Sequence, residues 1–293
     1  MNILYCGDRK MERGLLMSII SLLDNSTEPL NIYVLTLELV MAGKQYKPVT
    51  NAFIEFINEF LQDVRPGSSI VKYDISKCFE EEKPEANLGT RFTPCCMLRL
   101  YADELEQIPD RILYLDTDVL AKKDFSEFYN QSIEGYEFAG VLDYYGKHFF
   151  RKKSRILRYD YINSGVLLLN MPKIRETGLF KKSRQRCISK QMLMPDQSSL
   201  NKLAIAKKKC PRKYNDQRRD HEDTVFRHFT TTFRIFPKFK QVTVKPWDIE
   251  KVHEVLKLHD FDELFEEYEG KLKEYQSRKI NDNVLKRKDE IKK

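Results

Sequence analysis

Two acidic residues directly follow an apolar run in the stretch RILYLDTDVLAKKD, residues 111–124. In an extended chain, residues i and i+2 point to the same side, so Asp116 and Asp118 can aim both carboxylates at one point. Two carboxylates held close together repel each other unless a cation or a proton separates them. Hard divalent cations such as Mg²⁺ and Mn²⁺ prefer oxygen ligands. The spacing therefore predicts a divalent-metal site at the end of a buried strand.

Elements typical of an α/β fold surround this stretch. Short apolar runs predict strands, and segments with helical spacing separate the first three of them, which indicates a Rossmann-like, mainly parallel sheet flanked by helices. We predict strands over residues 2–6, 31–37, 69–75, 112–115, 137–145 and 161–171, and helices over residues 15–23, 51–61, 94–105 and 195–205 and from residue 248 onward. Because ligands bind outside the carboxyl ends of such strands, Asp116 lies where a ligand is expected.

Composition narrows the class of protein. The chain has 293 residues, a net charge of +7 and six cysteines without a C-x-x-C pair. The cysteine spacing favours neither a disulfide framework nor a zinc site and indicates a cytoplasmic location. The first residues do not predict a secretory signal, and no apolar run is long enough to predict a membrane-spanning helix.

Positive charge is concentrated in residues 147–219, which predicts an anionic partner. Because no helix-turn-helix, zinc-finger or RNP pattern occurs, we expect no nucleic acid. The anionic partner could be a membrane surface. We expect the segment KKKCPRKYNDQRR, residues 207–219, to approach the inner face of the cell membrane, assisted by the lysine-rich tail from Lys286. The charged residues after Gly270 predict a loosely ordered end to a helical extension over residues 248–293.

The pattern ILYLDTDVL also resembles the nucleophile motif of haloacid-dehalogenase-like phosphatases, in which Asp116 would be phosphorylated. That motif usually opens its domain, whereas more than 100 residues precede it here. We therefore keep the phosphatase as the second interpretation.

The order of motifs along the chain resembles glycosyltransferase family 8, over about residues 1–250. The motifs, in order, are NILYCGD, MLRLYADELEQIPDRILYLDTDVL, YINSGVLLLNM, PDQSSLN, HFT and KPW. The resemblance implies a GT-A domain over residues 1–247. It also implies retaining transfer of a hexose, galactose or glucose, from a UDP-sugar to a hydroxyl of a glycan, lipid-linked or protein-linked acceptor, with Mn²⁺ or Mg²⁺ bridging the diphosphate.

The resemblance also implies roles for individual residues. Asp116, Asp118 and His228 would bind the metal ion, and Lys245 or Arg234 would neutralise the diphosphate, with Lys245 favoured because it belongs to the Lys-Pro-Trp tripeptide. Asp196 and Gln197 would lie beside the reacting carbon. The remaining donor contacts would come from the nucleoside-binding Asp8, from Thr117 between the two acids, and from the sugar- and phosphate-facing residues Arg99, Asp143, Asn163 and Ser164.

Two features of the sequence leave the mechanism and even catalysis open. Thr231 stands where the family has glycine, and Arg9 follows Asp8 where a second acid or asparagine is common. A nucleotide-sugar-binding protein that has lost catalysis is therefore a further alternative. No carboxylate is identifiable as a nucleophile, so we favour front-face attack by the acceptor hydroxyl over double displacement.

Overall fold

A computed structural model describes residues 1–41, 43–89, 93–146, 160–234 and 240–291, and within them the fold is α/β. The main sheet has seven described strands in the order β10-β8-β9-β6-β1-β2-β5. These strands are β1 (Asn2–Cys6), β2 (Asn31–Thr36), β5 (Ser69–Asp74), β6 (Arg111–Leu115), β8 (Phe138–Leu142), β9 (Ile162–Asn170) and β10 (Lys207–Cys210). Three two-stranded pairs accompany it, namely β3 (Leu39–Met41) with β4 (Lys44–Tyr46), β7 (Val119–Ala121) with β11 (Phe226–His228), and β12 (Thr232–Arg234) with β13 (Lys240–Val242).

The sheet is parallel except at β9, which runs antiparallel to both of its neighbours, β6 and β8. Parallel pairing joins β1 to β2 and β6, β2 to β5, and β8 to β10. The carboxyl ends of β1, β6 and β8 therefore meet at one edge, where the amino end of β9 also begins. The predicted mainly parallel sheet is confirmed, and its antiparallel strand brings the start of β9 beside the end of β6.

Nine α-helices occur among the described residues: α1 (Glu12–Asp24), α2 (Asn51–Val64), α3 (Ser76–Glu81), α4 (Ser126–Asn130), α5 (Met171–Thr177), α6 (Leu179–Ser189), α7 (Pro195–Leu203), α8 (Ile249–Lys251) and α9 (Asp262–Ile291). The segment predicted as a helix over residues 94–105 is a 3₁₀-helix, Pro94–Glu104. Shorter 3₁₀ turns span Arg9–Met11, Glu85–Asn87 and Arg212–Tyr214, and a π-helical turn, Val252–Leu256, follows α8. No helix of the described residues is long and apolar enough to cross a bilayer.

The C-terminal helix covers one side of the molecule. Residues 14–23 of α1 are all buried, and a helix that is buried on every face must be covered on both sides. The sheet covers one side of α1 and α9 packs against the other, where Arg13 Nε donates to the Tyr268 hydroxyl at 3.2 Å. Tyr275 packs edge-on against Phe53 of α2, with ring centroids 5.3 Å apart. A loosely ordered tail was expected after Gly270, but the helix continues to Ile291, and residues 292 and 293 lie outside the described residues.

Candidate active site

Asp116, Asp118 and His228 converge at the carboxyl edge of the sheet. One ligand atom from each of the three residues lies within 4.8 Å of the other two. His228 Nε2 lies 3.7 Å from Asp116 Oδ2 and 3.4 Å from Asp118 Oδ1. The backbone explains this, because Asp116 directly follows β6 while His228 ends β11, which pairs with β7 so that His228 faces Val119. Two carboxylates and an imidazole suit Mn²⁺ or another divalent ion of the first transition row.

A chain of hydrogen bonds fixes the imidazole of His228. An ionised carboxylate only accepts, so Asn163 Nδ2 donates to Asp143 Oδ2 at 2.9 Å. Asn163 Oδ1 then accepts from Asn215 Nδ2 at 3.0 Å, which leaves Asn215 Oδ1 to accept from His228 Nδ1 at 3.0 Å. The ring proton is thereby assigned to Nδ1, and the lone pair of Nε2 faces the two carboxylates. This is the tautomer that a metal-binding histidine needs.

Gly165 makes room for this arrangement. A Cβ atom at this position would lie 2.1 Å from His228 Cε1 and 2.9 Å from Asp116 Oδ2. At the same time, Asp116 N donates to Gly165 O at 2.8 Å, which ties the end of β6 to β9. The glycine therefore lets the strand pass close behind both the histidine and the first acid.

Arg99 lies behind Asp116 rather than at an open surface. Its Nη2 donates to Asp116 Oδ1 at 3.0 Å, and its Nε lies 3.5 Å from Asp196 Oδ2. The guanidinium stacks on the Tyr114 ring at 3.9 Å, and the Tyr114 hydroxyl donates to the same Asp116 oxygen at 2.6 Å. Burial alone would lower the pKa of Arg99, but Tyr114 and the two carboxylates raise it above its ordinary value. Arg99 therefore holds one oxygen of Asp116 in place.

Gln197 and Asp196 begin helix α7 and face the first residues of β9. Gln197 Nε2 donates to Asp143 Oδ2 at 3.0 Å, while Gln197 Oε1 accepts from Ser164 N at 2.9 Å. The Ser164 hydroxyl donates to Asp196 Oδ2 at 3.0 Å. The amide and the carboxylate are both buried, at 4% and 5% exposure, so their orientation is set by these bonds. The structure thus brings Asp143, Ser164, Asp196 and Gln197 together.

Lys245 reaches the same site from the far end of the chain. Its Nζ donates to Asp118 Oδ2. Burial alone would raise the pKa of Asp118, but Lys245 and His228 hold it below its ordinary value. Burial alone would likewise lower the pKa of Lys245, yet the Asp118 carboxylate raises it. Both groups are therefore charged, and the alternative cation, Arg234, has a side chain outside the described part.

Trp247, two residues after Lys245, packs against the start of α1. A Cβ atom on Gly14 would lie 2.5 Å from Trp247 Cζ3 and 3.0 Å from Thr117 O. The start of α1, the indole ring and the Thr117 backbone are therefore in close contact. The backbone of Thr117, between the two acids, and the indole ring near Lys245 therefore both lie against α1.

Asp8 lies at the same edge of the sheet but in a separate environment. It follows β1, the parallel neighbour of β6, and is 8% exposed. Burial raises the pKa of its carboxyl, and the nearby Lys10 only partly offsets this. Asp8 therefore lies at the same edge of the sheet but does not belong to the group formed by Asp116, Asp118 and His228.

Sequence reasoning missed two residues of this site. Tyr114 holds Asp116, and the period of two along β6 places its side chain on the same side as Asp116, so this signal was available. Asn215 orients His228, yet it lies in the segment 207–219, which was interpreted only by its positive charge. Nothing local in the sequence indicates that this asparagine faces a histidine 13 positions later.

Comparisons with known proteins agree with this geometry. The model of the family described as Glycosyl transferase family 8 matches residues 2–248. A Haemophilus influenzae protein provisionally named a glycosyltransferase is 22% identical over 186 residues, covering 62% of this chain and 52% of its own. Lipopolysaccharide 1,2-glucosyltransferase of Escherichia coli K12 is 34% identical over 124 residues, covering 40% of this chain and 37% of its own. The matched part thus spans about half or less of these curated relatives.

Among solved structures, an active-site mutant of LgtC superposes with a TM-score of 0.66 at 19% identity, covering 92% of this chain and 95% of that one. The galactosyltransferase LgtC in complex with donor and acceptor sugar analogues gives a TM-score of 0.63 at 19% identity, over 92% and 100% of the two chains. This likeness shows a shared GT-A fold. With the family match over residues 2–248, it leads to one conclusion: the chain belongs to glycosyltransferase family 8.

Proposed function

We propose that this chain transfers a hexose, galactose or glucose, from a UDP-sugar to a hydroxyl group of a glycan, lipid-linked or protein-linked acceptor, with retention of the anomeric configuration. One observation carries the proposal: Asp116, Asp118 and His228 converge beside the lysine of the Lys-Pro-Trp motif in a chain of family 8. The solved LgtC complex, which contains donor and acceptor sugar analogues, supports a sugar-nucleotide substrate.

The charges of the site suit a diphosphate leaving group. Bound at Asp116, Asp118 and His228, a Mn²⁺ or Mg²⁺ ion would neutralise charge that grows on UDP as the sugar–oxygen bond breaks. Lys245 supplies a second fixed positive charge beside Asp118. Arg99 and Tyr114 keep Asp116 oriented, and Asn215 keeps the Nε2 lone pair of His228 directed toward the two acids.

The buried polar residues beside the metal ligands suit recognition of the donor sugar. Asp143, Asn163 and Gln197 form one hydrogen-bonded group. Gln197 is a neutral amide whose two ends are both occupied, which makes it a poor nucleophile. We therefore favour front-face attack, in which the acceptor hydroxyl enters on the side of the departing UDP and a phosphate oxygen takes its proton. A glycosyl-enzyme adduct located by peptide mass spectrometry would contradict this mechanism.

The test is isothermal titration of UDP with and without Mn²⁺, on the wild type and on Asp118→Asn. We expect tight binding only with Mn²⁺ and about a 100-fold or greater loss in the variant. Asp110→Asn is the matched control, because Asp110 lies at the other end of the same strand with its side chain 83% exposed. A screen of UDP-sugars for slow hydrolysis then identifies the donor.

Other outcomes of this experiment separate the alternatives. Equal binding of UDP without metal, in wild type and variant alike, would overturn the proposed metal site. Tight metal-dependent binding without hydrolysis or transfer for any UDP-sugar would favour the catalytically degenerate alternative. The phosphatase alternative predicts phosphate release and a phosphorylated Asp116, and membership of glycosyltransferase family 8 leaves it without support.

We also propose a peripheral contact with anionic membrane on the cytoplasmic side. Part of the basic segment is neutralised, because Lys213 pairs with Glu127 at 2.9 Å and Arg212 pairs with Asp223 at 2.5 Å. Arg218 and Arg219 are exposed, and each basic residue near an anionic surface contributes about 1 kcal/mol.

Sedimentation with anionic and neutral vesicles tests this contact at physiological salt. We expect binding to anionic vesicles only, weakened in the double variant Arg218→Ser, Arg219→Ser. The double variant Lys181→Ser, Lys182→Ser removes the same charge from exposed positions of α6 and serves as the control. Equal sedimentation with both vesicle types would end the proposal.

A further inference from the structure

A second group of histidine and carboxylate side chains lies beyond the family-matched region, where the chain passes from the π-helical turn into α9. We call His253, His259 and Asp262 the C-terminal histidine cluster. A ring nitrogen of each histidine and an oxygen of Asp262 lie within 4.8 Å of one another. His253 Nε2 is 2.7 Å from Asp262 Oδ1, and His259 Nδ1 is 3.3 Å from Asp262 Oδ2.

An unusual backbone conformation produces this cluster. Lys257 has a φ of +56°, the one positive value at a non-glycine position among the described residues, and this left-handed residue ends the π-helical turn. The chain then turns back, so that the rings of His253 and His259 stack with centroids 4.6 Å apart and planes 16° from parallel. Left-handed conformations cost a non-glycine residue energy and need surrounding contacts to hold them.

We propose that the C-terminal histidine cluster binds a divalent transition-metal ion of the zinc type. Two imidazoles and one carboxylate form a ligand set that suits Zn²⁺, Cu²⁺ or Ni²⁺, whereas Mg²⁺ and Ca²⁺ prefer sites built from oxygen alone. We call Asp116, Asp118 and His228 the active-site cluster. It has the opposite proportion of ligand types, with two carboxylates and one imidazole. The two clusters therefore differ in the class of metal that they prefer.

A tetrahedral ion would require the stacked rings to turn apart, because the lone pair of an imidazole nitrogen lies in the plane of its ring. Two ligand atoms that each lie about 2.0–2.1 Å from zinc are about 3.3 Å apart. His259 Nδ1 lies at this distance from Asp262 Oδ2, whereas His253 Nε2 contacts the other oxygen, Oδ1, at 2.7 Å. An ion bound through Oδ2 would therefore draw the His253 ring away from Oδ1. His253 also packs against Phe265 at 6.0 Å, which gives the cluster an apolar floor. Water would complete the coordination, because side-chain exposures of 32% for His253 and 64% for His259 leave the outer side open.

A bound ion would join the segment before α9 to the first turn of that helix. The turn that carries the histidines ends in a long backbone bond, from Leu258 N to Val252 O at 3.4 Å, beside a shorter one from Lys257 N to His253 O at 3.2 Å. Anything that binds the folded chain and not the unfolded one stabilises the fold. The simpler alternative is a pair of exposed histidine–aspartate hydrogen bonds that only cap α9, and this alternative predicts no metal affinity.

The experiment is isothermal titration of Zn²⁺ into the metal-free full-length chain. We expect two binding equivalents in the wild type, because Zn²⁺ can also enter the active-site cluster. Each of His259→Gln and Asp118→Asn should lose one of the two equivalents, and the double variant should lose both. His221→Gln is the matched control, since His221 pairs with Asp216 at 2.6 Å but lies in no metal-ligand group among the described residues. This control should keep both equivalents.

A second measurement gives an independent readout. Zn²⁺ should raise the midpoint of thermal unfolding of Asp118→Asn, whereas Mg²⁺ should not, and the additional change His259→Gln should abolish the zinc effect. Retention of both Zn²⁺ equivalents in His259→Gln, or equal effects of Zn²⁺ on the midpoint with and without His259, would overturn the proposal. Neither readout depends on UDP or on glycosyl transfer, so failure here is distinguishable from failure of the proposed function.

Discussion

Two groups of histidine and aspartate side chains in this chain use the same residue types in opposite surroundings. In the active-site cluster, His228 is 4% exposed and Asp118 is 7% exposed. In the C-terminal histidine cluster, the side chain of His259 is 64% exposed and that of Asp262 is 49% exposed. Both clusters bring their ligand atoms within 4.8 Å, so distance between ligands does not distinguish them.

The difference lies in what holds the ligands. Asp116 is fixed by Arg99 and Tyr114, and His228 is fixed by Asn215, all through buried or partly buried hydrogen bonds. In the C-terminal histidine cluster, the histidine rings hydrogen-bond to Asp262, stack on each other and, for His253, pack against Phe265, with no further ring hydrogen bond among the described residues. A supported site keeps its geometry without its ion, whereas an exposed site is ordered mainly by the ion that it binds. The following predictions test this contrast, from the largest expected effect to the smallest.

Gly165→Ala should have the largest effect, because the added Cβ would overlap His228 and crowd Asp116. We expect kcat/KM for donor hydrolysis to fall about 100-fold or more, which equals about 2.7 kcal/mol of transition-state stabilisation. Gly270→Ala is the matched control, since nothing lies within 4 Å of a Cβ added there. Unchanged kcat/KM in Gly165→Ala would mean that His228 need not hold its observed position.

Asn215→Ala should weaken Mn²⁺ binding about 10- to 100-fold, because it removes the acceptor that fixes the His228 tautomer. Mn²⁺ titration with UDP present measures the change. Asn170→Ala is the comparison, since the Asn170 amide also donates two hydrogen bonds, to Ile133 O and Tyr136 O, but at the other edge of the sheet. Asn170→Ala should lower stability and leave Mn²⁺ affinity as it is; the reverse pattern would refute the orienting role of Asn215.

Tyr114→Phe should have a smaller effect, a fall of about 3- to 10-fold in kcat/KM, because Arg99 still holds the Asp116 oxygen that loses the hydroxyl. Loss of the hydroxyl should also lower the free energy of unfolding by about 1 kcal/mol. Tyr129→Phe likewise removes one hydroxyl hydrogen bond, which the Tyr129 oxygen accepts from Asn2 N at 2.9 Å, at the opposite end of the sheet. A loss of activity in Tyr129→Phe equal to that in Tyr114→Phe would assign the effect to stability alone.

The smallest effect should come from His259→Ala in the metal-free chain. An exposed side-chain contact contributes little, so its free energy of unfolding should stay within about 0.5 kcal/mol of the wild type. His228→Ala should cost about 1–3 kcal/mol under the same conditions, because it leaves buried partners without a hydrogen bond. Urea unfolding in the presence of EDTA measures both. Similar losses in the free energy of unfolding for the two variants would contradict the proposed difference between a supported and an exposed cluster.

Much of the fold and the candidate site follows from the sequence. The alternation of apolar runs with segments of helical spacing predicted the strands β1, β2, β5 and β6. This works because the pattern of buried residues along a strand or a helix repeats within a few positions. The two acids after β6 and the order of the motifs predicted the converging carboxylates and the family. These signals are local, or depend only on the order of short segments along the chain.

The tertiary structure alone decided which distant residues meet. Lys245 and Asp118 are 127 positions apart, and Asn163 and Asn215 are 52 apart, so no local period relates them. The charged tail was expected to be loose, yet α9 continues to Ile291, and Tyr275 within it packs against Phe53 and Phe56 of α2. Local sequence sets which backbone conformation a segment prefers, whereas topology sets its neighbours, and the orientation of His228 depends on neighbours.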